Sequence, residues 1–251
     1  MLTIGELEKC RRYIESHSKE GGITSRKFPA GPCITISRET GTCARCISEE
    51  LIKFFQKKSD ENEPGWTLFD KNLIGKVLAD HNLPGVLEKL MEEERISFFA
   101  SMLNEIFSGL PGQWALIRKQ SETIVQVASL GNAIIIGRGA NIVTQNLPNT
   151  FHVRLIAPIN ERIKNFAEVH KIDFKKAKTL VEQHDACRMK YIDTVFNKKI
   201  DDPLLYDMVI NTRGLTYKQT AHFIGSVLIK KYPGLFTETE ERNLQPVPYL
   251  I

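Results

Sequence analysis

Hydrophobic residues along this chain form two kinds of pattern, short continuous runs and longer helical repeats. Continuous apolar runs indicate strands that are buried on both faces of a parallel sheet. The predicted strands, in chain order, are 33–36, 66–69, 133–136, 151–156 and 208–210. Helical patterns separate these runs, so the sequence predicts an α/β fold with a parallel sheet of five strands flanked by helices.

The predicted helices are marked by their caps as well as by apolar spacing. Asp173 is a predicted N-cap, and Thr216-x-x-Gln219 matches a capping box that opens the last helix. One or two helices are predicted within 71–129, and another over 3–17. The apolar face of the helix after Asp173 is predicted to contain Phe174, Ala177, Val181 and His184.

Glycine and proline punctuation divides the chain into three predicted parts. Residues 1–30 are predicted to be an N-terminal helical appendage, since a loop rich in these residues follows the first helix. Residues 31–232 form the predicted main domain. Residues 233–251 are polar and proline-containing, and are predicted to be a C-terminal tail.

Composition narrows the class of protein. The chain has 251 residues, of which 42% are hydrophobic, so a packed core is expected. A net charge of +4 favours anionic ligands only slightly and does not indicate specific nucleic-acid binding. Five unevenly spaced cysteines argue against a disulfide scaffold, and no apolar run reaches membrane-spanning length. We therefore expect a cytoplasmic protein without a membrane partner. The sequence sets no oligomeric state.

The segment 33–46 carries the most chemical information. Its apolar run, short turn and helix start predict a strand, a loop and a helix N-terminus, where backbone amides can bind phosphate. A complete P-loop signature is missing. Cys43, Ala44 and Arg45 stand where the signature has its second glycine, its lysine and its hydroxyl residue.

Several motifs occur in an order that resembles one known family. They are Ile34-Thr35-Ile36-Ser37-Arg38-Glu39 with Gly41-Thr42, Phe69-Asp70-Lys71, Ile136-Gly137-Arg138-Gly139, His152 to Pro158, Asp185-x-x-Arg188-x-x-Tyr191, and Tyr206 to Thr212. Together they resemble the cytidylate kinase-like branch of the nucleoside monophosphate kinases, from about residue 33 to about residue 231. The resemblance implies a three-layer fold of the P-loop NTPase type, with an insert that grips the monophosphate and a mobile lid. It also implies phosphoryl transfer from ATP, with Mg²⁺, to a small nucleotide such as CMP. No metal-ligand residue is assigned.

The same resemblance implies roles for residues in the phosphate loop. Gly41 and Thr42 match the family's central Gly-Ser pair, and Cys43 and Ala44 replace glycines. Side chains at those two positions limit positive φ angles and close approach to phosphate. Arg45 matches a family arginine and is predicted to replace the missing lysine as the cation facing phosphate. The alternative is that Arg45 is a solvated residue of the first helical turn.

Acceptor residues are also implied by the resemblance. Arg138 follows a buried strand and is predicted to contact the acceptor phosphate, whereas Gly139 replaces a family aspartate. Asp70 is predicted on the acceptor side, with the alternative that it caps the next helix.

The lid carries the remaining candidates. Asp185 and Arg188 lie three residues apart on a predicted lid helix, where Arg188 would clamp the transferred phosphate. Arg162, in the preceding helix, is a candidate for additional positive charge. The alternative for Asp185 and Arg188 is a local ion pair.

Two rival functions use the same residues. Cys43-Ala44-Arg45-Cys46 is a C-x-x-C motif at a helix start, which is typical of thiol redox sites. A bond between these cysteines would deform the phosphate loop and switch off nucleotide binding. The other rival is a nucleotide-binding or interaction module that has lost transfer activity, which the incomplete loop favours.

Overall fold

The computed structural model describes residues 31–56, 65–70 and 115–233, together with the single residues Glu8, Arg12, Tyr13, Ile74, Leu103 and Ile106. Apart from these single positions, the predicted N-terminal appendage and the part of the predicted helical region 71–129 that precedes residue 115 lie outside the described residues. The predicted tail after Pro233 lies outside them as well. The domain boundaries stay a prediction.

The described strands form one all-parallel sheet. They are β1 (Cys33–Arg38), β2 (Thr67–Phe69), β3 (Ala133–Ile136), β4 (Thr150–Ile156) and β5 (Met208–Asn211). Their order across the sheet is β2-β3-β1-β4-β5, so the first strand is central. The prediction of a parallel five-stranded sheet is confirmed, because each predicted apolar run became a strand within two residues of its expected ends.

Helices cover both faces of this sheet and make the fold a three-layer α/β arrangement. They are α1 (Ala44–Gln56), α2 (Ala115–Leu130), α3 (Ala140–Val143), α4 (Ile159–His170), α5 (Phe174–Phe196) and α6 (Tyr217–Lys231). Both predicted caps are confirmed. Asp173 accepts a hydrogen bond from the Lys176 amide, and Thr216 and Gln219 form a complete capping box.

The core has two parts, one on each face of the sheet. On one face, Ile34 and Ile36 of β1 pack with α1 and α6, and on the other, Cys33 packs with α2 and α3. Fully burying an apolar side chain contributes about 1.5–3 kcal/mol, so these strands fix the sheet firmly. Tyr13 belongs to the second part, since its hydroxyl donates to the carbonyls of Val127 and Gly131.

Helices α4 and α5 form a hairpin with a small apolar cluster of its own. This cluster is built around Ile163, Ala177 and Val181. The prediction that Phe174 and His184 share a buried face with them was wrong, because both are exposed. A two-helix hairpin buries only a narrow stripe of each helix. None of the described helices is long and apolar enough to cross a membrane.

Candidate functional site

The loop after β1 lies at the carboxyl end of the sheet, where parallel α/β folds place their ligands. Gly41 has a φ of 92°, and a Cβ there would lie 2.2 Å from the carbonyl oxygen of Arg162. Only glycine allows this backbone conformation and this close approach to α4. Asn165 of α4 also donates to the Gly41 carbonyl at 3.4 Å. The loop is therefore shaped against the helical hairpin.

A network of buried and partly buried charges fixes the same loop to the hairpin. The Asp185 carboxylate accepts hydrogen bonds from the Thr40 amide at 2.8 Å and from the Arg162 guanidinium at 2.6 Å. Arg162, only 7% exposed, also donates to the Thr40 carbonyl at 3.1 Å and pairs with Glu39 at 3.2 Å. Arg188 donates to Asp185 at 2.9 Å and to the Thr40 hydroxyl. Fully satisfied networks of this kind hold a single geometry.

The second half of the loop is held by its own side chains. Thr42 is buried, and its hydroxyl donates to the Glu39 carbonyl at 2.9 Å. Cys43 has a φ of 52° and is joined to Cys46 by a disulfide bond, with 5.4 Å between the two Cα atoms. The C-x-x-C motif therefore ties the loop to the first turn of α1. A single local bridge remains compatible with the expectation of no disulfide scaffold.

An open cavity of about 260 Å³ lies beside the loop, and we call it the loop cavity. Its lining includes Gly41, Cys43, Ala44, Arg45, Asp70, Arg38, Arg188 and one side of α4. Arg45 lines the cavity but is already paired, with Glu49 at 3.2 Å and with Asp70 at 3.4 Å. The Arg45 side chain is half-exposed and also lines the cavity, and its role as a cation facing phosphate stays a prediction.

The turn after β3 holds a second arginine in an unusual conformation. Gly137, Arg138 and Gly139 all have positive φ angles, of 78°, 60° and 68°. A left-handed conformation at a non-glycine residue costs about 1–2 kcal/mol, so the flanking glycines and α3 must hold it. A Cβ on Gly139 would lie 2.3 Å from the Phe196 ring. Phe196 therefore fills the space that a side chain at position 139 would need.

Arg138 lines a second cavity of about 400 Å³, which we call the α5 cavity. The other residues that line it are Arg38, Ile136, His184, Cys187, Arg188 and Tyr191. The two cavities thus share the side chains of Arg38, Ile136 and Arg188. Burial, followed by the neighbouring charges of Arg188 and Arg138, lowers the pKa of Arg38 to about 10. Burial also lowers the pKa of Arg188, although Asp185 opposes that shift.

The structure sorts the sequence-predicted residues into three positions. Around the loop cavity lie Gly41, Cys43, Ala44, Arg45, Asp70 and Arg188, and around the α5 cavity lie Arg138 and Arg188. The remaining candidates, Thr42, Arg162 and Asp185, line neither cavity. These three residues support the loop from behind.

Sequence reasoning missed Arg38 as a site residue, because it included this arginine only as part of the first family motif. An available signal was its position, since it lies two residues beyond the predicted strand 33–36, at the start of the loop. The end of a central parallel strand is where a long cationic side chain reaches a ligand crevice.

Fold and site together define an α/β protein with arginine-lined cavities at the carboxyl end of a parallel sheet. The model of the cytidylate kinase-like family matches residues 33–214. This match covers well over half of the chain, and the protein belongs to the cytidylate kinase-like family. The resemblance inferred from the motifs is confirmed. Membership in this family does not by itself define a substrate.

Comparison with solved structures gives the same kind of fold. The crystal structure of an uncharacterized protein from Eubacterium ventriosum ATCC 27560 is 19% identical, with a TM-score of 0.62, and the match covers 80% of this chain and 99% of that one. The crystal structure of TT1252 from Thermus thermophilus is 12% identical, with a TM-score of 0.39, over 81% of this chain and 98% of that one. At this identity, the first likeness supports the fold alone.

One curated relative matches a part of the chain. It is a uronate isomerase from Corynebacterium glutamicum, 25% identical over 126 residues, which are 50% of this chain and 24% of the relative. The match therefore spans about a quarter of the length of that protein.

Proposed function

We propose that this protein transfers a phosphoryl group from ATP to a nucleoside monophosphate, such as CMP, or to a related small acceptor. The observation that carries the proposal is the pair of cavities that meet at shared arginine side chains. Phosphoryl transfer requires two anionic substrates in line and cations around the group between them. Two adjoining cavities with arginines at their junction meet that requirement.

ATP is proposed to place its phosphates in the loop cavity. The first turn of α1 presents backbone amides without intrahelical acceptors, and its positive dipole end favours anions. Gly41, Cys43 and Ala44 line the cavity, while Thr42 maintains the loop shape through its hydrogen bond to the Glu39 carbonyl. Arg45 supplies a guanidinium, provided that it exchanges its contact with Asp70 for a phosphate.

The acceptor is proposed to occupy the α5 cavity with its phosphate against Arg138. No hydrogen bond or ion pair joins Arg138 to another residue within the described ranges, so its charge is available. An oxygen of the acceptor phosphate would attack the γ-phosphorus of ATP. The bond from that phosphorus to the β–γ bridging oxygen would break, and ADP would leave. Arg188, held by Asp185, is proposed to stabilise the charge of the transferred group.

The side chains around the loop cavity suit a Mg²⁺ ion whose ligands come mainly from the nucleotide. Among the described residues, no group of three or more His, Cys, Asp or Glu side chains is arranged to hold a metal ion. Magnesium often uses one or two protein carboxylates and takes its other ligands from phosphates and water. Asp70, which lines the loop cavity, is proposed as one such carboxylate. Bound Mg²⁺ would neutralise charge on the donor phosphates.

The direct test measures ADP release from ATP with each of a panel of nucleoside monophosphates. We expect turnover with at least one acceptor, and much slower turnover by Arg138→Gln at acceptor concentrations below its KM. Arg213→Gln is the matched control, because Arg213 is exposed and pairs with Glu161 away from both cavities. Absence of ADP release with every acceptor, despite measurable ATP binding, would contradict the proposal.

A nucleotide-binding module without transfer activity is the second candidate. The prior pairing of Arg45 and the disulfide at Cys43 favour it, since both limit adjustment of the loop around phosphates. Binding of ATP and CMP without turnover would identify this module. Reduction of a dithiol-exchange substrate by the chain would instead favour the redox function of the Cys43–Cys46 pair.

A further inference from the structure

The Arg38 side chain lies in a space beside the end of the neighbouring strand β3. It is the last residue of β1, and its side chain crosses the start of the turn that follows β3. A Cβ on Gly137 would lie 2.2 Å from the Nη1 atom of Arg38. Glycine at position 137 therefore leaves the space in which the guanidinium lies. Parallel pairing of β1 with β3 brings the two strand ends together.

The Arg38 side chain is largely buried at the wall between the two cavities. It lines both of them, together with Ile136 and Arg188. Within the part of the chain that the structure describes, no hydrogen bond or ion pair satisfies its guanidinium. Two other guanidiniums, of Arg188 and Arg138, are close enough to disfavour its charge. Three converging cations of this kind create a strong preference for an anion.

Arg188 and Arg38 differ in what already holds them. Arg188 donates to Asp185 and Thr40, so a carboxylate fixes its position and offsets its charge. Arg38 lies near the carboxylates of Asp70 and Asp185 without a direct hydrogen bond to either. As far as the described residues show, its donors are therefore available to a ligand without breaking an existing hydrogen bond.

We propose that Arg38 is a catalytic residue that contacts the phosphoryl group during its transfer between the two cavities. This inference rests on the proposed function and names the residue at its centre. As the bond to the acceptor oxygen forms and the bond to the ADP oxygen breaks, charge is spread over the three equatorial oxygens. A planar guanidinium can donate to two of these oxygens at once. Arg38 is placed between donor and acceptor, where this charge develops.

The kinetic test uses Arg38→Gln, Arg38→Lys and the control Arg213→Gln. We expect Arg38→Gln to lower kcat about 100-fold, the size expected for loss of one transition-state donor, with each KM changed less than about threefold. Arg38→Lys keeps the charge but lacks the planar fork, so it should recover a part of the loss. An unchanged kcat would overturn the proposal. A rise in only one KM, with kcat unchanged, would overturn it as well, because Arg38 would then belong to a single cavity.

Tripolyphosphate binding, measured by calorimetry, separates this inference from the proposed function. A linear polyphosphate presents successive phosphoryl groups to both cavities and requires no turnover. We expect Arg38→Gln to weaken its binding at least about tenfold, the usual size for a lost charge-assisted contact, while Arg213→Gln leaves binding unchanged. If tripolyphosphate binding depends on Arg38 but no acceptor is turned over, the kinase function is contradicted. The inferred contact between Arg38 and a phosphoryl group would still be supported. Equal binding by wild type and Arg38→Gln would overturn the contact.

Thermal unfolding shows that each variant is folded before either measurement. Removing the Arg38 charge relieves repulsion with Arg138 and Arg188 and also removes attraction to Asp70 and Asp185, so we expect Arg38→Gln to unfold close to the wild-type temperature in the absence of anions. Added tripolyphosphate should then stabilise wild type more than the variant, since a ligand that binds only the native state raises its stability.

Discussion

The arginine that lines only the loop cavity and the arginine that lines only the α5 cavity are in opposite states. In the loop cavity, Arg45 is already bound to Glu49 and Asp70. In the α5 cavity, Arg138 and the shared Arg38 have no hydrogen-bonded partner within the described ranges. An arginine that is already paired must give up a contact before it binds phosphate, whereas an unpaired one gains a contact directly.

This difference shows that an arginine can lie at the site without being available to bind phosphate. The sequence motifs pointed to the phosphate loop as the main anion site. In the structure, the arginines without a hydrogen-bonded partner among the described residues lie beside that loop. Arg162 shows the other extreme, since it is buried, lines neither cavity and is fully used in holding the loop. Four predictions test the comparison, and each concerns an arginine or the disulfide in one of these states.

The largest effect is expected for Arg162→Met. This change leaves the carboxylates of Asp185 and Glu39 without their buried cation, and breaking such a pair typically costs about 3–5 kcal/mol of unfolding free energy. Urea unfolding measures the loss, with Arg213→Met as the exposed control. A change of less than about 1 kcal/mol, the value of a surface pair, would show that Arg162 is not a structural residue.

Arg138→Gln should have the next largest effect, on activity instead of stability. We expect the KM of the acceptor to rise about 100-fold, because a charge-assisted contact in a partly buried site is lost. The KM of ATP should change little, since Arg138 does not line the loop cavity. Steady-state kinetics with varied acceptor measures the effect. An increase confined to the KM of ATP would reverse our assignment of the two cavities.

Arg45→Gln should weaken ATP binding by only about tenfold, because Glu49 and Asp70 already offset the Arg45 charge. Calorimetric titration with ATP gives the affinity. Lys53→Gln is the matched control, since Lys53 lies on the same helix and pairs with Glu50 away from the cavity. A loss of ATP affinity of about 100-fold, as large as the rise in acceptor KM expected for Arg138→Gln, would contradict this. It would mean that the ion pairs of Arg45 do not reduce its contribution to ATP binding.

Reduction of the Cys43–Cys46 bond should have the smallest effect. Because the bond ties the cavity-lining Cys43 to the first turn of α1, we expect its release to tighten ATP binding about fivefold, at the low end of usual coupling energies. Titrations with and without a dithiol reductant measure the change. The double variant Cys43→Ser/Cys46→Ser should bind like the reduced protein and ignore reductant. Equal ATP affinity in both redox states would exclude this coupling.

The sheet could be predicted from sequence because its signal is local and redundant. Residues 133–136 are all apolar, and the structure buries all four in the strand that was expected. The caps at Asp173 and Thr216 were predictable for the same reason, since each depends on neighbours within three residues. The exposure of His184 could not be predicted in this way, because it depends on how little of the α5 surface is covered by α4.

The site was predicted only in outline. Sequence motifs placed Gly41, Arg138 and Arg188 near strand and helix ends, and the structure brings these three residues to the two cavities. Arg162 was expected to add charge to the site, whereas it lies behind the loop. Its role depends on Glu39 and Asp185, which are distant in sequence and meet only when α4 and α5 pack against the loop.

The sequence by itself determined the parallel sheet, the family and the residue types at the strand ends, because apolar periodicity and motif order act over short distances. Tertiary structure alone decided which cations are neutralised and which remain available. The charge of a guanidinium beside a carboxylate is already partly compensated, whereas a largely buried guanidinium without a hydrogen-bonded carboxylate attracts an anion. Arg45 and Arg38, seven residues apart within the segment 33–46, differ in this respect among the described residues.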